Sequence, residues 1–575
     1  MTPTRTAWST ASRGAPSRFD LIAFVLVVGL FAFFAAASKG VLAPISSLDV
    51  TPISLDPAQL PYLVARSTLR MLAGLLLSLL FTFTYATWAA KSPRAGRILI
   101  PVLDVLQSIP ILTFLSVTLV FFMSLAPGRV LGAEFAAVFI IFTSQAWNMA
   151  FSFYQSLRTV PTELTEAARS FRLSGWSRFW RLEVPFGMPP LVWNMMMSMS
   201  GGWFFVVASE AITVGPTTVT LPGIGAYIDL AIRQKDLHAV SYAILAMLAV
   251  ILVYDQLLFR PLVAWSDRFR FDSEPGAPAP SSWVLDALAG SRLIARSLRR
   301  LRGFGRMLGA AVRVAPGSTS PEVAAANVEN LDRIATGVLA ALLGLAVWQA
   351  AWFLAPDLGW HDLLSTLGLG AITALRVFAL IALASLVWVP IGIYVGLRPK
   401  VARVVQPVAQ FLAAFPNNLL FPFAVAAIVN FKLNANIWLS PLMILGTQWY
   451  ILFNVVAGAS AMPTEMRHVS NNFHVKGWLW WRKIALPAVM PFYVTGAITA
   501  SGGSWNAAIV AEVASWGDEH LSATGLGSYI AHATTDGDFH RIVLGTVTMS
   551  LYVLLINRLL WRPLYYYAER KFRLS

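Results

Sequence analysis

The chain has 575 residues, 57% hydrophobic and 12% charged, with a net charge of +15. Soluble domains carry about 25% charged residues, so this composition excludes a soluble globular protein. Apolar runs long enough to cross a bilayer also exclude an outer-membrane barrel, whose strands read as short alternating segments. There is no cysteine, which removes disulfides and thiolate metal sites. Neither the histidines nor the sparse carboxylates show a metal spacing such as HExxH. The basic residues cluster in short loops, where they read as topology signals facing an anionic leaflet, with no nucleic-acid partner.

The first expected span, Leu21–Ala37, follows a basic N-terminus and is read as uncleaved. A second runs over Tyr62–Ala90 and closes on the basic turn KSPRAGR, Lys91–Arg97. The third, Ile98–Leu125, contains Pro101 and Pro110, which a membrane helix tolerates where neighbours satisfy the freed carbonyls. A turn at Pro127–Ala133 leads to the fourth, Glu134–Gln155. A polar, basic stretch, Pro161–Pro190, then precedes the fifth span, Phe186–Val214. An irregular external segment, GPTTVTLPGIGAYIDL, leads to the sixth, Val240–Leu258.

A linker over residues 266–332 holds EPGAPAPSS, which cannot bury enough surface to fold. It also holds an arginine-rich stretch with helical spacing, read either as an amphipathic helix on the inner leaflet or as a solvated connector. Six more spans follow: Ile334–Leu354, Leu364–Leu397, Val401–Asn430, Ile437–Ala459, Ala488–Val513 and Ile542–Leu560. The expected architecture is an all-α polytopic membrane protein. It has about twelve spans in two halves, 1–265 and 333–575, with both termini and the linker cytoplasmic.

The halves repeat one another. Arg70 corresponds to Arg376, and Pro101 and Pro110 to Pro407 and Pro416, at an offset of 306. From Trp147 and Trp449 onward the offset is 302, pairing Glu210 with Glu512, Gly223 and Gly225 with Gly525 and Gly527, and Asp236 and His238 with Asp538 and His540. Six spans per half and a cytoplasmic connector make the repeats parallel, with a pseudo-two-fold axis along the membrane normal.

The polar stretch recurs as PTEMRHVSNNFHVKGWLWWRKIALPAVMP, Pro463–Pro491. In the first copy Pro161 and Thr162 start a helix with Glu163 and Glu166 near its positive end. Ala167 and Ala168 form a flat patch, Gly175 interrupts the helix and Pro185 stops it. Two such protruding helices suit grooves in two soluble partners. The run EAARSFRLSGWSRFWRLEVP resembles the EAA loop of binding-protein-dependent ABC importer permeases, and SGGWFFVVASEAITVG with LPGIGAYI resembles their nitrate/taurine/sulfonate-type branch. The family commonly has Gly six residues after the Glu; here Arg172 stands there and Gly175 three later. The second copy keeps Glu465, Gly477 and Pro487 but replaces EAA with His468-Val469-Ser470.

The resemblance implies a type I importer permease whose loops seat on two cytosolic ABC ATPase subunits, identical or different, with an extracytoplasmic substrate-binding protein. It implies a bacterial cytoplasmic (inner) membrane location and a small anion (nitrate, sulfonate or bicarbonate class) as cargo. With no GxxxxGK[ST] loop in the chain, ATP and Mg belong to the partner subunits, and no cofactor or catalytic residue is expected here. The alternative is a major-facilitator secondary transporter, for which KSPRAGR and GLRPK are poor matches.

Ionisable residues within spans are functional candidates by default. Arg70, Arg376, Glu210 and Glu512, with Trp203 and Trp505, are therefore candidates for the translocation pathway; an Arg–Glu structural pair is the favoured reading of the four charges. Gly223, Gly225, Gly525 and Gly527 are candidate gate-loop residues. The Asp-x-His pairs read as loop-fixing elements.

Overall fold

In a computed structural model of the protein, the described residues are 53–269, 282–291 and 359–572, apart from 215–216, 463–465, 467, 469, 471 and 518, with scattered positions at 28–29, 43–44 and 333–353. The expected first span, the arginine-rich linker and Glu465 lie outside them, and the expected seventh span is described only in fragments.

Among the described residues, seven helices are long and apolar enough to cross a membrane: Pro57–Lys91, Val130–Arg158, Gly175–Glu210, Leu237–Phe269, Trp360–Gly396, Gly477–Ala511 and Phe539–Lys571. Two bent pairs, Pro399–Ala414 with Asn417–Asn430 at 78° and Ala435–Met443 with Gln448–Ser460 at 44°, raise the number to nine. The first-half counterpart of the former pair is Pro93–Ser108 followed by Thr113–Leu125. Both breaks fall at the repeated prolines, Pro110 and Pro416, whereas Pro101 and Pro407 sit inside their helices. The chain is an all-α polytopic membrane protein.

Pro185 does not stop a helix. The helix Gly175–Glu210 passes through it by way of a π-turn at Phe179–Glu183, and Pro487 is passed in the same way behind a π-turn at Trp481–Ala485. A proline lacks the N–H that would reach back four residues, and its ring clashes with that carbonyl. Widening the preceding turn to i→i+5 spacing relieves both problems. A second pair of π-turns, Asp255–Phe259 and Asn557–Trp561, also sits at equivalent positions. Nor does Gly175 interrupt the helix. Thr162–Ser170 is capped at Phe171 and followed by Arg172, whose φ is +50°, and Gly175 opens the next helix after the cap Ser174. The left-handed residue is therefore Arg172 and not a glycine, at a modest conformational cost.

The segments after the fifth and eleventh spans are ordered rather than irregular. Each is a two-stranded antiparallel hairpin: β1 (Ala211–Val214) with β2 (Thr217–Thr220), and β3 (Val513–Trp516) with β4 (Glu519–Ser522). Each hairpin feeds a short helix, Ile224–Arg233 or Leu526–Asp536. The aspartates of the Asp-x-His pairs cap the helices beyond: Asp236 Oδ1 accepts from the His238 and Ala239 N–H groups, and Asp538 Oδ1 from that of Arg541.

The residues form two compact units: 1–39, 155–193 and 252–338 in one, and 40–154, 194–251 and 339–575 in the other. The first holds the polar loop Pro161–Pro190. The second carries the main apolar core, which joins Ile111, Ile140 and Phe205 of the first repeat to residues such as Val377, Val455 and Trp505 of the second.

Candidate functional site: a cavity lined by both repeats

Within the second unit lies a cavity of about 210 Å³. Its wall joins equivalent positions of the two repeats: Trp147 with Trp449, Gly201 with Gly503, and Phe204 with Asn506. Ile111 and Asn417, one residue beyond the repeated prolines, also line it. A pathway on a pseudo-two-fold axis requires equivalent walls of this kind. The broken spans are tied across the repeats. The Ile111 N–H donates to Asn506 Oδ1 at 2.6 Å, satisfying backbone freed at the Pro110 break. Asn418 Nδ2 donates to the Phe204 carbonyl at 3.2 Å, and the Ser200 hydroxyl donates to the Ala413 carbonyl.

None of the six pathway candidates lines this cavity, and among the described residues its wall contains no Lys, Arg, His, Asp or Glu. Trp203 and Trp505 are buried, the latter stacked on Tyr552 at 6.0 Å. The four charges are instead paired within their own repeats. Arg70 Nη1 donates to Glu210 Oε1 at 2.6 Å, and Arg376 Nη1 donates to Glu512 Oε1 at 3.0 Å. In the first repeat the pair extends to Glu134, which accepts from Arg70 Nε at 2.6 Å and from Arg66 Nη2 at 2.5 Å. All four of these side chains are buried, as is Glu512.

The glycines serve the glutamates. Gly225 N–H donates to Glu210 Oε2 at 2.7 Å, and Ser528 N–H donates to Glu512 Oε2 at 3.0 Å. A Cβ at Gly223 would lie 2.2 Å from Glu210 Cδ, and one at Gly525 would lie 2.3 Å from Glu512 Oε1. At Gly225 and Gly527 a Cβ would meet the backbone carbonyls of Val207 and Ala508 at 2.2 and 2.4 Å. The Ile224 and Leu526 N–H groups are held by Ser67 and Thr373 hydroxyls at 3.0 and 2.9 Å. The repeated GxG thus lays a helix N-terminus directly over a buried carboxylate, a favourable place for negative charge.

Arg66 and Glu134 were not among the sequence candidates, yet the repeat encodes their role. Their counterparts are Ile372 and Asn436, so the second repeat loses one cation and one anion together. Asn436 Oδ1 takes over the position of the Glu134 carboxylate, accepting from Arg376 Nη2 at 3.1 Å. Each cluster is therefore neutral: two plus two charges in one repeat, one plus one in the other. Burying an unpaired charge costs several kcal/mol, which explains why the two changes occur together.

The polar loops share a frame. Leu173 N–H donates to the Ala168 carbonyl at 3.1 Å and Val475 N–H to that of Ser470 at 3.0 Å, the same helix-closing bond in each copy. His474 matches Arg172 with φ +53°, and Gly477 has φ +60°. Glu163, Glu166 and Ala167 are exposed and Ala168 is buried; in the second copy His468 is exposed. Each loop also exposes two aromatic rings at matched places, Phe171 and Trp176 in the first and Phe473 and Trp478 in the second, all between 72% and 79% accessible. Exposed apolar groups on a polar element mark a contact surface.

Two repeats, a cavity walled by residues of both and a matched polar loop in each define a membrane permease. The chain belongs to the family described as binding-protein-dependent transport system inner membrane component, which matches residues 74–260 and 388–573, once in each repeat; it is a family of ABC importer permeases. The chain is 27% identical over 177 residues to the bicarbonate transport system permease protein CmpB of Synechococcus elongatus, covering 31% of this chain and 60% of the relative. It is 25% identical over 177 residues to the nitrate import permease protein NrtB of Leptolyngbya laminosa, with the same coverage. It is 25% identical over 188 residues to the glycine betaine/proline betaine transport system permease protein ProW of Escherichia coli, covering 32% of this chain and 49% of the relative. The chain thus spans about 60% of the length of the two cyanobacterial relatives.

Proposed function

We propose that this chain supplies the whole transmembrane pathway of an ATP-driven importer in a bacterial cytoplasmic membrane. Two cytosolic ATPase subunits bind the polar loops, and an extracytoplasmic binding protein delivers the solute. The observation that carries this reading is the conjunction of a matched loop in each repeat with a cavity walled by equivalent residues of both. ATP-driven closure of the ATPase dimer moves the loops together and changes which side the cavity opens to. The linker joins the halves on the cytoplasmic side and makes the pair a single chain. The resemblance puts small anions such as nitrate, a sulfonate or bicarbonate among the cargoes.

The loops are unequal. The first retains Glu163 and Glu166 beside the exposed Ala167, with Ala168 buried beneath, whereas the second presents His468 in place of the second acid. The first loop therefore makes the stronger ATPase contact. Glu166→Lys is expected to lower recovery of the ATPase in a pull-down about tenfold, or about 1.4 kcal/mol of association. His468→Ala is expected to change recovery less than twofold. Equal losses would remove the asymmetry.

A further inference from the structure

Resting on the importer reading, we infer that the outer gate is the seam where the hairpin of each repeat crosses onto the other repeat, and that this structure is closed to the outside. In the second repeat the polar loop precedes the helix Gly477–Ala511 and β3 follows it. The hairpin therefore stands at the opposite end of that span from the ATPase contact, on the extracytoplasmic side. Phe205 and Ala507 line the cavity, and six residues further on, about 9 Å of helix, the chain enters β1 or β3. There the repeats cross: β1 lies beside the helix Leu526–Asp536, and β3 beside the helix Ile224–Arg233.

The Gly517 N–H, in the two-residue turn between β3 and β4, donates across this seam to the Ile232 carbonyl at 3.0 Å. Lys235, just beyond the same helix, lays its side chain on Gly517: a Cβ there would lie 1.8 Å from Lys235 Cε and 2.8 Å from its Cγ. Gly517 also has φ +62°, so glycine is required on both counts. The repeat counterpart of Lys235 is Gly537, so the lysine makes this contact from the first repeat alone. The helices are held more firmly to their own repeats. The Gly225 and Ser528 N–H groups bond the buried carboxylates Glu210 and Glu512, and the Ile224 and Leu526 N–H groups bond Ser67 and Thr373. The hairpins are tied back in the same way, Leu221 N–H to the Glu210 carbonyl and Ala523 N–H to that of Glu512, each at 2.8 Å. Bonds to a buried charge are stronger than a neutral backbone bond. Each hairpin and helix therefore travels with its own repeat, and the Gly517–Ile232–Lys235 latch is what parts when the cavity opens outward.

The chain has no cysteine, so a pair can be placed at the seam alone. In Lys235→Cys/Gly517→Cys the sulfur at 235 takes the place of Lys235 Cγ, 2.8 Å from the Cβ at 517 and within reach of a disulfide, while the atom that would clash is gone. The test oxidises this variant in proteoliposomes holding the complete importer, with its ATPase and binding protein, and reads the disulfide by peptide mass spectrometry. The expected result is a disulfide formed readily without nucleotide and at least tenfold more slowly in the complex trapped with ATP and vanadate. ATP hydrolysis by the oxidised importer is expected to fall at least tenfold and to return with reductant, which also shows that the variant folds. Lys235→Ala, which loosens the latch without touching the turn, is expected to raise ATP hydrolysis in the absence of binding protein about threefold. No disulfide in a variant active when reduced, equal rates of formation in the two states, or full ATP hydrolysis by the disulfide-bonded importer would overturn the gate while upholding the importer reading. Should the double variant not fold, unchanged hydrolysis in Lys235→Ala would overturn it. Failure of the chain to associate with an ATPase would instead remove the importer reading itself.

Discussion

Arg70→Leu is expected to destabilise the protein by about 3–5 kcal/mol and to abolish recovery of folded chain from membranes. The substitution leaves two buried carboxylates, Glu134 and Glu210, facing Arg66 alone. Removing one partner of a buried pair costs this much because the remaining charge stays uncompensated. The second repeat supplies a sharp control. Arg66→Ile/Glu134→Asn copies Ile372 and Asn436, removes one charge of each sign and leaves Arg70 paired with Glu210. It is expected to fold and to retain most transport. Glu134→Asn alone, which leaves Arg66 buried without its carboxylate, should be markedly less stable than the double variant. Thermal unfolding in detergent, followed by size-exclusion recovery, ranks the four proteins. A double variant no more stable than Glu134→Asn alone would show that the neutrality of the cluster is not what the fold requires.

Gly225→Val is the second large effect. Even a Cβ at this position lies 2.2 Å from the Val207 carbonyl oxygen, an atom of the helix backbone that cannot swing away. The added side chain also pushes the Gly225 N–H off Glu210, breaking a bond to a buried carboxylate. Overpacking alone costs about 1–3 kcal/mol, and loss of the charged hydrogen bond adds about 1.5–3. The variant is expected to lose the ordered helix Ile224–Arg233 and with it transport. Gly527→Val should do the same in the second repeat, where the Ala508 carbonyl stands 2.4 Å from the added Cβ. Substitution at Gly175, where a Cβ meets nothing within 4 Å, should be tolerated. Hydrogen exchange over residues 211–233 reads the local loss directly; unchanged protection in Gly225→Val would contradict the clamp.

Much of this architecture is written in apolar runs and in an internal repeat. The described spans and the matched loops follow from residue spacing; the breaks at 110 and 416 do not, since Pro101 and Pro407 read the same way and sit inside their helices. The repeat also encodes the clamp, since Arg70, Glu210 and the GxG recur together. What spacing does not convey is register within a helix and contact between distant spans. Pro185 reads as a stop because a regular helix cannot donate there; the π-turn that carries the helix through has no composition of its own. Gly175 reads as a breaker because the left-handed position is held by Arg172, a residue that seldom takes it. The GxG segments read as gate elements; what spacing does not convey is that their lack of a side chain lets a backbone amide reach a buried carboxylate. Glu134 is hidden at the edge of its span, and only alignment with Asn436 exposes it. The cavity is invisible in sequence because the described residues of its wall are ordinary and neutral.

The importer reading rests on energy arriving through the loops from another chain. Its most direct measurement is solute uptake by proteoliposomes holding this chain with or without its ATPase, energised by ATP or by a proton gradient. The account predicts uptake only when ATPase and ATP are both present, and its loss in Glu166→Lys as the ATPase dissociates. Normal uptake on a proton gradient by the chain alone would contradict it.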